Sequence, residues 1–179
     1  MGTADTILGM AGLLALSGWM SGCCSQRPDP TACQAASDLG EHRTVNSCVV
    51  LSATQVAQHR SWRDLDASWD PPTNLVAQAL RHLPTYLKNV GHEPRVQATY
   101  SRQLPGLLER LPDTVCQAIG VSYGSKQGVF LNCLPAGDSF SEGWRQRYIK
   151  VYDGGPRFWS VVYLPENGNF TRLHIDLGY

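Results

Sequence analysis

The spacing of apolar residues changes along the chain, and this change limits the folds that the chain can adopt. Between residues 74 and 90 apolar side chains recur every three or four positions, which is typical of an amphipathic helix. From residue 115 to the end they alternate with polar residues, which predicts strands. Helices followed by consecutive strands favour an α+β fold, with N-terminal helices packed on a C-terminal antiparallel β-meander of about five strands.

The predicted meander consists of strands joined by tight turns. The alternation places strands at residues 115–122, 128–134, 144–152, 157–164 and 170–177. Two-residue turns that accept positive φ separate neighbouring strands at Gly124-Ser125, Gly154-Gly155 and Asn167-Gly168. In the last hairpin, such a turn pairs Val162 with Leu173 and Ser160 with Ile175.

The clearest predicted helix runs from residue 74 to residue 90. Thr73 stands at its N-cap position, and Gly91 supplies the glycine that ends many helices. Pro84 lacks a backbone N–H, so we expect a kink near residue 80, or a helix that ends and restarts there. We expect this helix to cover the apolar face of the sheet.

Shorter elements are predicted before the sheet, as strands at residues 45–51 and 96–100 and helices at residues 52–66 and 104–111. Ser52 and Gln55 have the spacing of a capping box, in which each side chain bonds the backbone N–H of the other residue. The first of these helices is therefore expected to begin at Ser52.

The strand register divides the side chains of the meander between two faces. The predicted core face, covered by the 74–90 helix, carries Ile149, Val151, Phe158, Val162, Leu164, Leu173, Ile175 and Leu177. The opposite face mixes aromatic and charged residues, as is typical of binding hot spots and of surfaces that stack on sugars. We predict a binding surface there, formed by Tyr148, Lys150, Trp159, Tyr163, Phe170, Arg172 and His174.

In this register Trp159 lies beside His174, and Tyr163 lies beside Phe170. Two other interpretations of the same face stay open. Aromatic residues are good strand formers, so the face can be an ordinary solvated surface. Alternatively, earlier segments of the chain can cover and bury it.

Catalytic signals are few. His174 and Asp176 are two residues apart on one predicted strand and, with Arg172, have the residue types of an acid–base site in a hydrolase or isomerase. The sequence contains no nucleophile elbow, HExxH, P-loop or dinucleotide-binding motif. No cofactor is therefore expected. A pocket between helix and sheet that binds a small ligand is a further alternative.

The N-terminal segment indicates export. Residues 7–20 form an uncharged, mostly apolar run that is shorter than the roughly 20 residues of a transmembrane helix and ends in small residues. Met20, Ser21 and Gly22 before Cys23 resemble the lipobox of bacterial envelope lipoproteins. The resemblance covers residues 1–24 and implies cleavage before Cys23, which would then carry the lipid, including palmitate. An uncleaved anchor and a buried core helix are the alternatives.

This resemblance also implies an organisation and a location. Residues 1–22 would be the signal peptide, residues 23–32 a lipidated tether, and residues 33–179 a single periplasmic domain. Cys24, rather than Asp, follows the lipidated residue, which implies the outer membrane of a Gram-negative host. The 15 Lys and Arg residues balance the 15 Asp and Glu residues, so no nucleic-acid partner is expected.

The remaining cysteines suit an oxidising compartment. Cys33, Cys48, Cys116 and Cys133 are an even set, for which two disulfides are expected. Counting outward from the Gly124-Ser125 turn places Cys116 opposite Cys133, which favours a bridge between them and leaves Cys33 to pair with Cys48. Metal binding is the alternative, but no CxxC or HxxxH spacing supports it.

Together these features predict a membrane-anchored periplasmic lipoprotein whose domain binds another envelope protein through the aromatic and cationic face. Such a protein would act as an inhibitor or immunity factor, or as an accessory part of a secretion or envelope assembly. The competing predictions are a periplasmic enzyme that uses His174 and Asp176, and a small-ligand binder.

Overall fold

A mixed sheet of six strands organises the part of the chain that the computed structural model describes, which is residues 44–57, 67–123, 125–137 and 143–178. The strands are β1 (Ser47–Leu51), β2 (Ala67–Trp69), β3 (Thr114–Tyr123), β4 (Lys126–Pro135), β5 (Trp159–Leu164) and β6 (Asn169–Ile175). Their order is β1-β3-β4-β5-β6, and β2 also pairs with β3. The fold class is therefore α+β. The sheet is not a pure antiparallel meander, because β1 runs parallel to β3.

The helices precede β3 in the chain. They are α1 (Ala53–Ala57), α2 (Thr73–Asn89), α3 (Pro94–Tyr100) and α4 (Leu104–Glu109), with short 3₁₀ turns at Val90–His92 and Leu111–Asp113. Where a strand was predicted at residues 96–100, the structure has α3. Pro94 explains the difference, since its fixed φ suits the first turn of a helix.

Helix α1 begins as its sequence predicts. The Ser52 N–H donates to Gln55 Oε1 at 2.9 Å, and the Gln55 N–H donates to Ser52 Oγ at 3.2 Å. These two bonds form the predicted capping box. Residues 58–66 of the predicted helix, like Cys23, Cys33 and the whole N-terminal segment, lie outside the described residues. Within the described residues, no helix has the length and apolar character needed to cross a membrane.

Helix α2 is one continuous helix, so the end and restart expected near residue 80 does not occur. Pro84 lies inside the helix and is buried. The residue before the helix is Pro72, which offers no side-chain cap, so Thr73 is the first helical residue rather than the cap. Gly91 lies within the following 3₁₀ turn instead of ending the helix directly.

The β3–β4 hairpin forms the centre of the sheet and has the predicted register. Cys116 pairs with Cys133, Ile119 pairs with Phe130, and Tyr123 pairs with Lys126. Only residues 124 and 125 therefore separate the two strands. The prediction succeeds because a two-residue turn fixes the register of a hairpin locally.

Residues 144–152 do not form the predicted strand, and Gly154-Gly155 does not join two strands. Instead, this part of the chain crosses the sheet. The Gln117 amide donates to Trp144 O at 2.6 Å and to Arg147 O at 2.7 Å, and the Ile149 N–H donates to Gln117 Oε1 at 3.0 Å. A buried side chain therefore satisfies backbone groups that a strand would pair with a neighbouring strand.

The β5–β6 hairpin also departs from its predicted register. Leu164 pairs with Asn169, so the loop contains residues 165–168 rather than Asn167 and Gly168 alone. Of these two residues only Gly168 has a positive φ, of 69°, and a type I′ turn requires two such residues. The register then shifts between Ser160 and Val162, opposite Arg172, which has a φ of 54°.

Both faces of the sheet are covered. Helix α2 lies not on the predicted core face but on the face predicted as the binding surface. On that face α2 contributes Val76, Ala79, Leu83 and Leu87 to a core with Cys116, Leu131, Val161 and Tyr163. The other face carries Ile119, Phe130, Val162 and Leu164, packed with Val56 of α1 and with Tyr148. Each fully buried Leu or Val contributes roughly 1.5–3 kcal/mol to folding.

The face assignment is wrong because the middle strands are apolar on both sides. Val161 and Val162 are neighbours in β5, point to opposite faces, and are both buried. A strand buried on both faces has a nearly continuous apolar sequence, so its sequence does not identify a solvent side.

Candidate functional site: a cleft on the sheet

A cleft of about 440 Å³ opens on the face of the sheet opposite α2. It lies over strands β4, β5 and β6 and is bordered by the chain between residues 148 and 158. We call it the sheet cleft. Its lining consists of an aromatic wall, a polar floor and a cationic rim, and these are described in turn.

The aromatic wall is formed by Phe130, Tyr148 and Phe158, each less than 10% exposed. Tyr148 belongs to the chain held across the sheet by Gln117, Phe130 lies in β4, and Phe158 directly precedes β5. Burial, reinforced by the nearby Tyr152, raises the pKa of the Tyr148 hydroxyl. This hydroxyl therefore stays protonated at neutral pH and can donate a hydrogen bond.

The polar floor comes from a row of side chains that crosses four strands in register. Gln117 pairs with Asn132, Asn132 with Ser160, and Ser160 with His174. Since paired residues in a sheet share a face, the row continues from the buried Gln117 to the exposed His174 at the sheet edge. Asn132, Ser160 and His174 all line the cleft.

Asn132 has an unused hydrogen-bonding group. The side chain is 9% exposed, and its Nδ2 donates to Gln117 Oε1 at 3.0 Å and to Ile149 O at 2.8 Å. Both amide protons are therefore occupied. Among the described residues, none donates a hydrogen bond to Asn132 Oδ1, so the cleft contains a buried acceptor that can receive a hydrogen bond from a ligand.

The rim carries three basic residues, namely Lys150, Arg172 and His174. Lys150 Nζ lies 5.0 Å from the centroid of the Tyr152 ring. Arg172 occupies the positive-φ position of the β6 bulge, a conformation that costs about 1–3 kcal/mol in a residue other than glycine. Such strain is concentrated at functional positions in proteins.

Among the described residues, one carboxylate, that of Asp176, also lines the cleft, and both of its oxygens accept backbone N–H groups. Oδ2 accepts the Gly154 N–H at 2.8 Å, and Oδ1 accepts the Gly178 N–H at 3.0 Å. These bonds fasten the chain after β6 to the turn before β5. They give Asp176 a structural role, so the geometry adds no support to an acid–base pair with His174.

The structure divides the predicted binding residues between two places. Four of them line the sheet cleft and lie outside the core on the α2 side, namely Tyr148, Lys150, Arg172 and His174. Trp159 also borders the cleft, but its side chain belongs to the core on the α2 side. Tyr163 and Phe170 are neighbours, as predicted, but they lie beneath α2. The Phe170 ring stacks on Tyr86 with centroids 4.8 Å apart, and Tyr163 is fully buried.

Trp159 does not lie beside His174 on one face as predicted, because it is paired with Ile175 and belongs to the core on the α2 side. Ser160 takes the place opposite His174. The single predicted surface is therefore replaced by two sets of residues on opposite sides of the sheet, and the α2 side belongs to the core.

The sequence-based prediction missed Asn132, Ser160 and Phe158. Asn132 did give a signal, since it is the one strongly polar residue in the apolar stretch of residues 128–134. A polar residue within a buried strand needs a hydrogen-bonding partner, and this requirement marks it as structural or functional. Phe158 was assigned to the core face, which turned out to contain the cleft.

The three cysteines within the described residues lie on the α2 side. Cys48, Cys116 and Cys133 occupy one row across β1, β3 and β4, and all are buried thiols in the structure. The sulfur atoms of Cys116 and Cys133 are 2.7 Å apart, and burial raises the pKa of both thiols. The register that the bridge requires is confirmed, whereas the bridge itself and the Cys33–Cys48 pair stay predictions.

Among the described residues, no group of three or more His, Cys, Asp and Glu side chains is arranged to hold a metal ion. Comparison with known protein families, with characterised proteins and with solved structures finds no match to this chain. Functional inference therefore depends on the sheet cleft and on the sequence.

Proposed function

We propose that this protein is a membrane-anchored binding module of the bacterial envelope, and that it contacts another envelope protein through the sheet cleft. The observation that carries the proposal is the composition of the cleft. Buried aromatic side chains stand beside a polar floor and a cationic rim, and interfaces concentrate their binding energy in residues of these types. The partner would be held outside the membrane, where the module acts as an inhibitor, an immunity factor or an accessory subunit.

The anchor in this proposal is the lipid on Cys23. Residues 23–32 contain Pro28 and Pro30 among mostly polar residues, which suits a tether between the lipid and the domain. A lipid chain and a short tether would keep the cleft close to the periplasmic face of the outer membrane. They would restrict its partners to proteins of that compartment.

The proposal is tested by site-specific photo-cross-linking in cells that produce the full-length chain. A photoreactive residue replaces Ser160 on the floor of the cleft or, as a matched control, Thr85 on the exposed side of α2. We expect a discrete protein adduct from position 160 and none from position 85. Equal adducts from both positions, or no protein adduct from position 160, would contradict the proposal.

A small-ligand binder is the second candidate, favoured by the concave shape of the site. The volume of about 440 Å³ lies within the range of known ligand pockets, about 300–1,000 Å³. The cleft differs from the predicted pocket, since it lies between the sheet and residues 148–158 rather than between helix and sheet. In the cross-linking experiment, an adduct with the mass of a small molecule would favour this candidate.

A further inference from the structure

We infer that the sheet cleft takes up the indole ring of a tryptophan on its partner, with the indole N–H donated to Asn132 Oδ1 and the ring packed on the aromatic wall. This inference rests on the proposed function and names the side chain that the cleft recognises. Three features of the cleft lead to it: a buried acceptor, the position of that acceptor and the apolar wall beside it.

The buried acceptor calls for a ligand that donates a hydrogen bond. The Asn132 side chain is 9% exposed, and its Nδ2 donates to Gln117 Oε1 at 3.0 Å and to Ile149 O at 2.8 Å. Within the described part of the chain, no group donates to its Oδ1. Since a buried acceptor without a donor is costly, a ligand N–H at this point gains more than it would on an open surface.

The orientation of the Asn132 amide is fixed by its neighbours. If the amide were turned over, its Oδ1 would face two other acceptors, Gln117 Oε1 and Ile149 O. The Gln117 amide cannot turn to compensate, because its Nε2 donates to Trp144 O and Arg147 O. The open position on the cleft floor is therefore an acceptor, and it favours a ligand that donates over one that accepts.

The position of the acceptor favours a side chain over a backbone N–H. Asn132 lies in β4, and β5 and β6 separate it from the edge of the sheet. Its bond to Ile149 O places it where the chain that crosses the sheet meets the cleft floor. A side chain can reach this inner end of the cleft tip first, whereas a backbone N–H would have to enter together with the peptide groups on both sides of it.

The size of the cleft agrees with a single large side chain. Its volume of about 440 Å³ is near the lower end of the range for ligand pockets, about 300–1,000 Å³. A helix, whose diameter with side chains is about 10–12 Å, would not fit into it.

The apolar wall selects a flat apolar group that also carries the donor. Phe130, Tyr148 and Phe158 line the cleft together with Asn132, and aromatic rings pack well on one another. Tryptophan combines a large ring with an edge N–H that only donates, whereas a phenylalanine has no donor and a tyrosine hydroxyl adds an acceptor that must be satisfied as well. Tryptophan is also enriched among the residues that anchor protein interfaces in buried pockets.

The test uses the full-length protein in detergent and a display library of random heptapeptides. We expect the selected peptides to share a tryptophan. The best peptide is then synthesised with that tryptophan and with 3-benzothienylalanine, in which a sulfur atom replaces the indole N–H in a ring of nearly the same shape. This exchange should weaken binding about tenfold, because it leaves the buried acceptor without its donor.

Two further measurements assign the effect to the cleft. A photoreactive residue at position 160 should cross-link the tryptophan peptide, and one at position 85 should not. In the Asn132→Ala protein the two peptides should bind within about twofold of each other, since the acceptor is gone, whereas the exposed control Gln127→Ala should keep the preference for tryptophan. If Asn132→Ala does not fold, the two peptides on the original protein and the position of the cross-link decide the outcome.

Several results would overturn the inference. One is the selection of peptides without tryptophan, or of no peptide at all. Another is a benzothienyl peptide that binds the original protein as tightly as its tryptophan counterpart. A cross-link that forms equally from position 85 would also exclude the cleft as the binding site.

The failure of this inference is distinguishable from the failure of the proposed function. In cells, each tryptophan of the cross-linked partner is replaced by phenylalanine in turn. We expect one of these replacements to abolish the adduct with position 160. An adduct that survives all of them would overturn the tryptophan assignment and leave the proposed function standing, whereas the lack of any protein adduct from position 160 contradicts the proposed function itself.

Discussion

Gln117 shows how one buried side chain positions the candidate site. It is fully buried, and its amide contacts the backbone at residues 144, 147 and 149 as well as the Asn132 amide. These bonds hold Tyr148 against the sheet, where it becomes part of the aromatic wall. The site is thus built by a residue that does not line it.

Replacement of Gln117 by Leu should destabilise the protein by about 3 kcal/mol or more, because it leaves several buried backbone groups without partners at about 1–3 kcal/mol each. Urea unfolding measures the change. Gln127→Leu, on an exposed position of β4, is the matched control and should change the free energy of unfolding by less than about 0.5 kcal/mol. Similar effects of the two substitutions would contradict the assigned role of Gln117.

The buried thiols predict a pH dependence that depends on their oxidation state. Burial raises the pKa of Cys116 and Cys133 above the ordinary value of about 9, so the folded state favours the neutral thiol. This contribution to stability is fully present below that pH. It is lost progressively as the pH rises above it, because unfolded thiols ionise first.

Urea midpoints of the reduced protein, measured between about pH 8 and pH 10.5, should therefore fall more steeply than those of the oxidised protein. In the oxidised form the predicted Cys116–Cys133 and Cys33–Cys48 bridges have no ionisable thiol, while the tyrosines contribute equally to both forms. The Cys116→Ala, Cys133→Ala double variant should follow the oxidised profile. Superimposable profiles of the reduced and oxidised protein would contradict this prediction. They would mean that the two thiols ionise in neither the folded nor the unfolded protein, or that they are never bridged.

At the level of elements, the contact between β2 and β3 depends on one glycine. A Cβ atom added to Gly120 would collide with the backbone carbonyl of Trp69 in the neighbouring strand. Because a strand backbone cannot move aside as a flexible side chain does, β2 would have to separate from β3.

Gly120→Ala should therefore lower the free energy of unfolding by roughly 2–4 kcal/mol, which calorimetry measures as a reduced melting temperature. Amide exchange should also speed up in Ala67–Trp69 more than elsewhere in the sheet. Gly91→Ala is the control, since a Cβ atom there meets only the Leu104 side chain at 3.8 Å. If the Gly120→Ala protein has native stability, β2 does not pack against β3 as described.

The elements that the sequence predicts correctly are those defined by local signals. The capping box of Ser52 and Gln55 and the turn between β3 and β4 need only neighbouring residues, and both occur as predicted. The segment at residues 144–152 alternates like a strand, but its backbone is held by Gln117, about 30 residues earlier. Such long-range bonds leave no mark on local periodicity.

The candidate site shows the same division between local and distant information. The alternation placed Lys150, Arg172 and His174 on one face, and the structure brings them to one cleft. The same pattern assigned Tyr163 and Phe170 to that face, whereas in the structure they lie beneath α2. The bulge at Arg172 shifts the register, so the residues of β6 after it point to the opposite face from the one expected of a regular strand. The sequence of the strand does not indicate this bulge.

At the scale of the whole molecule, the proposed lipid anchor would hold at the membrane a domain whose sheet is covered on both faces. If Cys23 carries the lipid, Cys23→Ser should move the protein from the membrane fraction to the soluble fraction of the cell envelope. The variant would lack the lipid that holds the protein in the membrane. Fractionation and immunoblotting measure the distribution. Cys24→Ser is the matched control and should stay with the membrane. Membrane association of the Cys23→Ser protein would contradict lipidation at that residue.

The central claim is that the two faces have different roles, with the α2 face building the core and the sheet cleft binding the partner. The most direct test measures the cross-link from Ser160 in the cleft together with the melting temperature, for Lys150→Ala and for Tyr163→Phe and Tyr163→Ala. We predict that Lys150→Ala abolishes the cross-link and leaves the melting temperature within about 2 °C of the original. Tyr163→Ala should lower the free energy of unfolding by about 3–5 kcal/mol, while the fraction of the protein that is folded still forms the cross-link. Tyr163→Phe keeps the ring in the core and should affect neither measurement strongly. A Lys150→Ala protein that retains the cross-link, or a stable Tyr163→Ala protein that loses it, would contradict this division of roles.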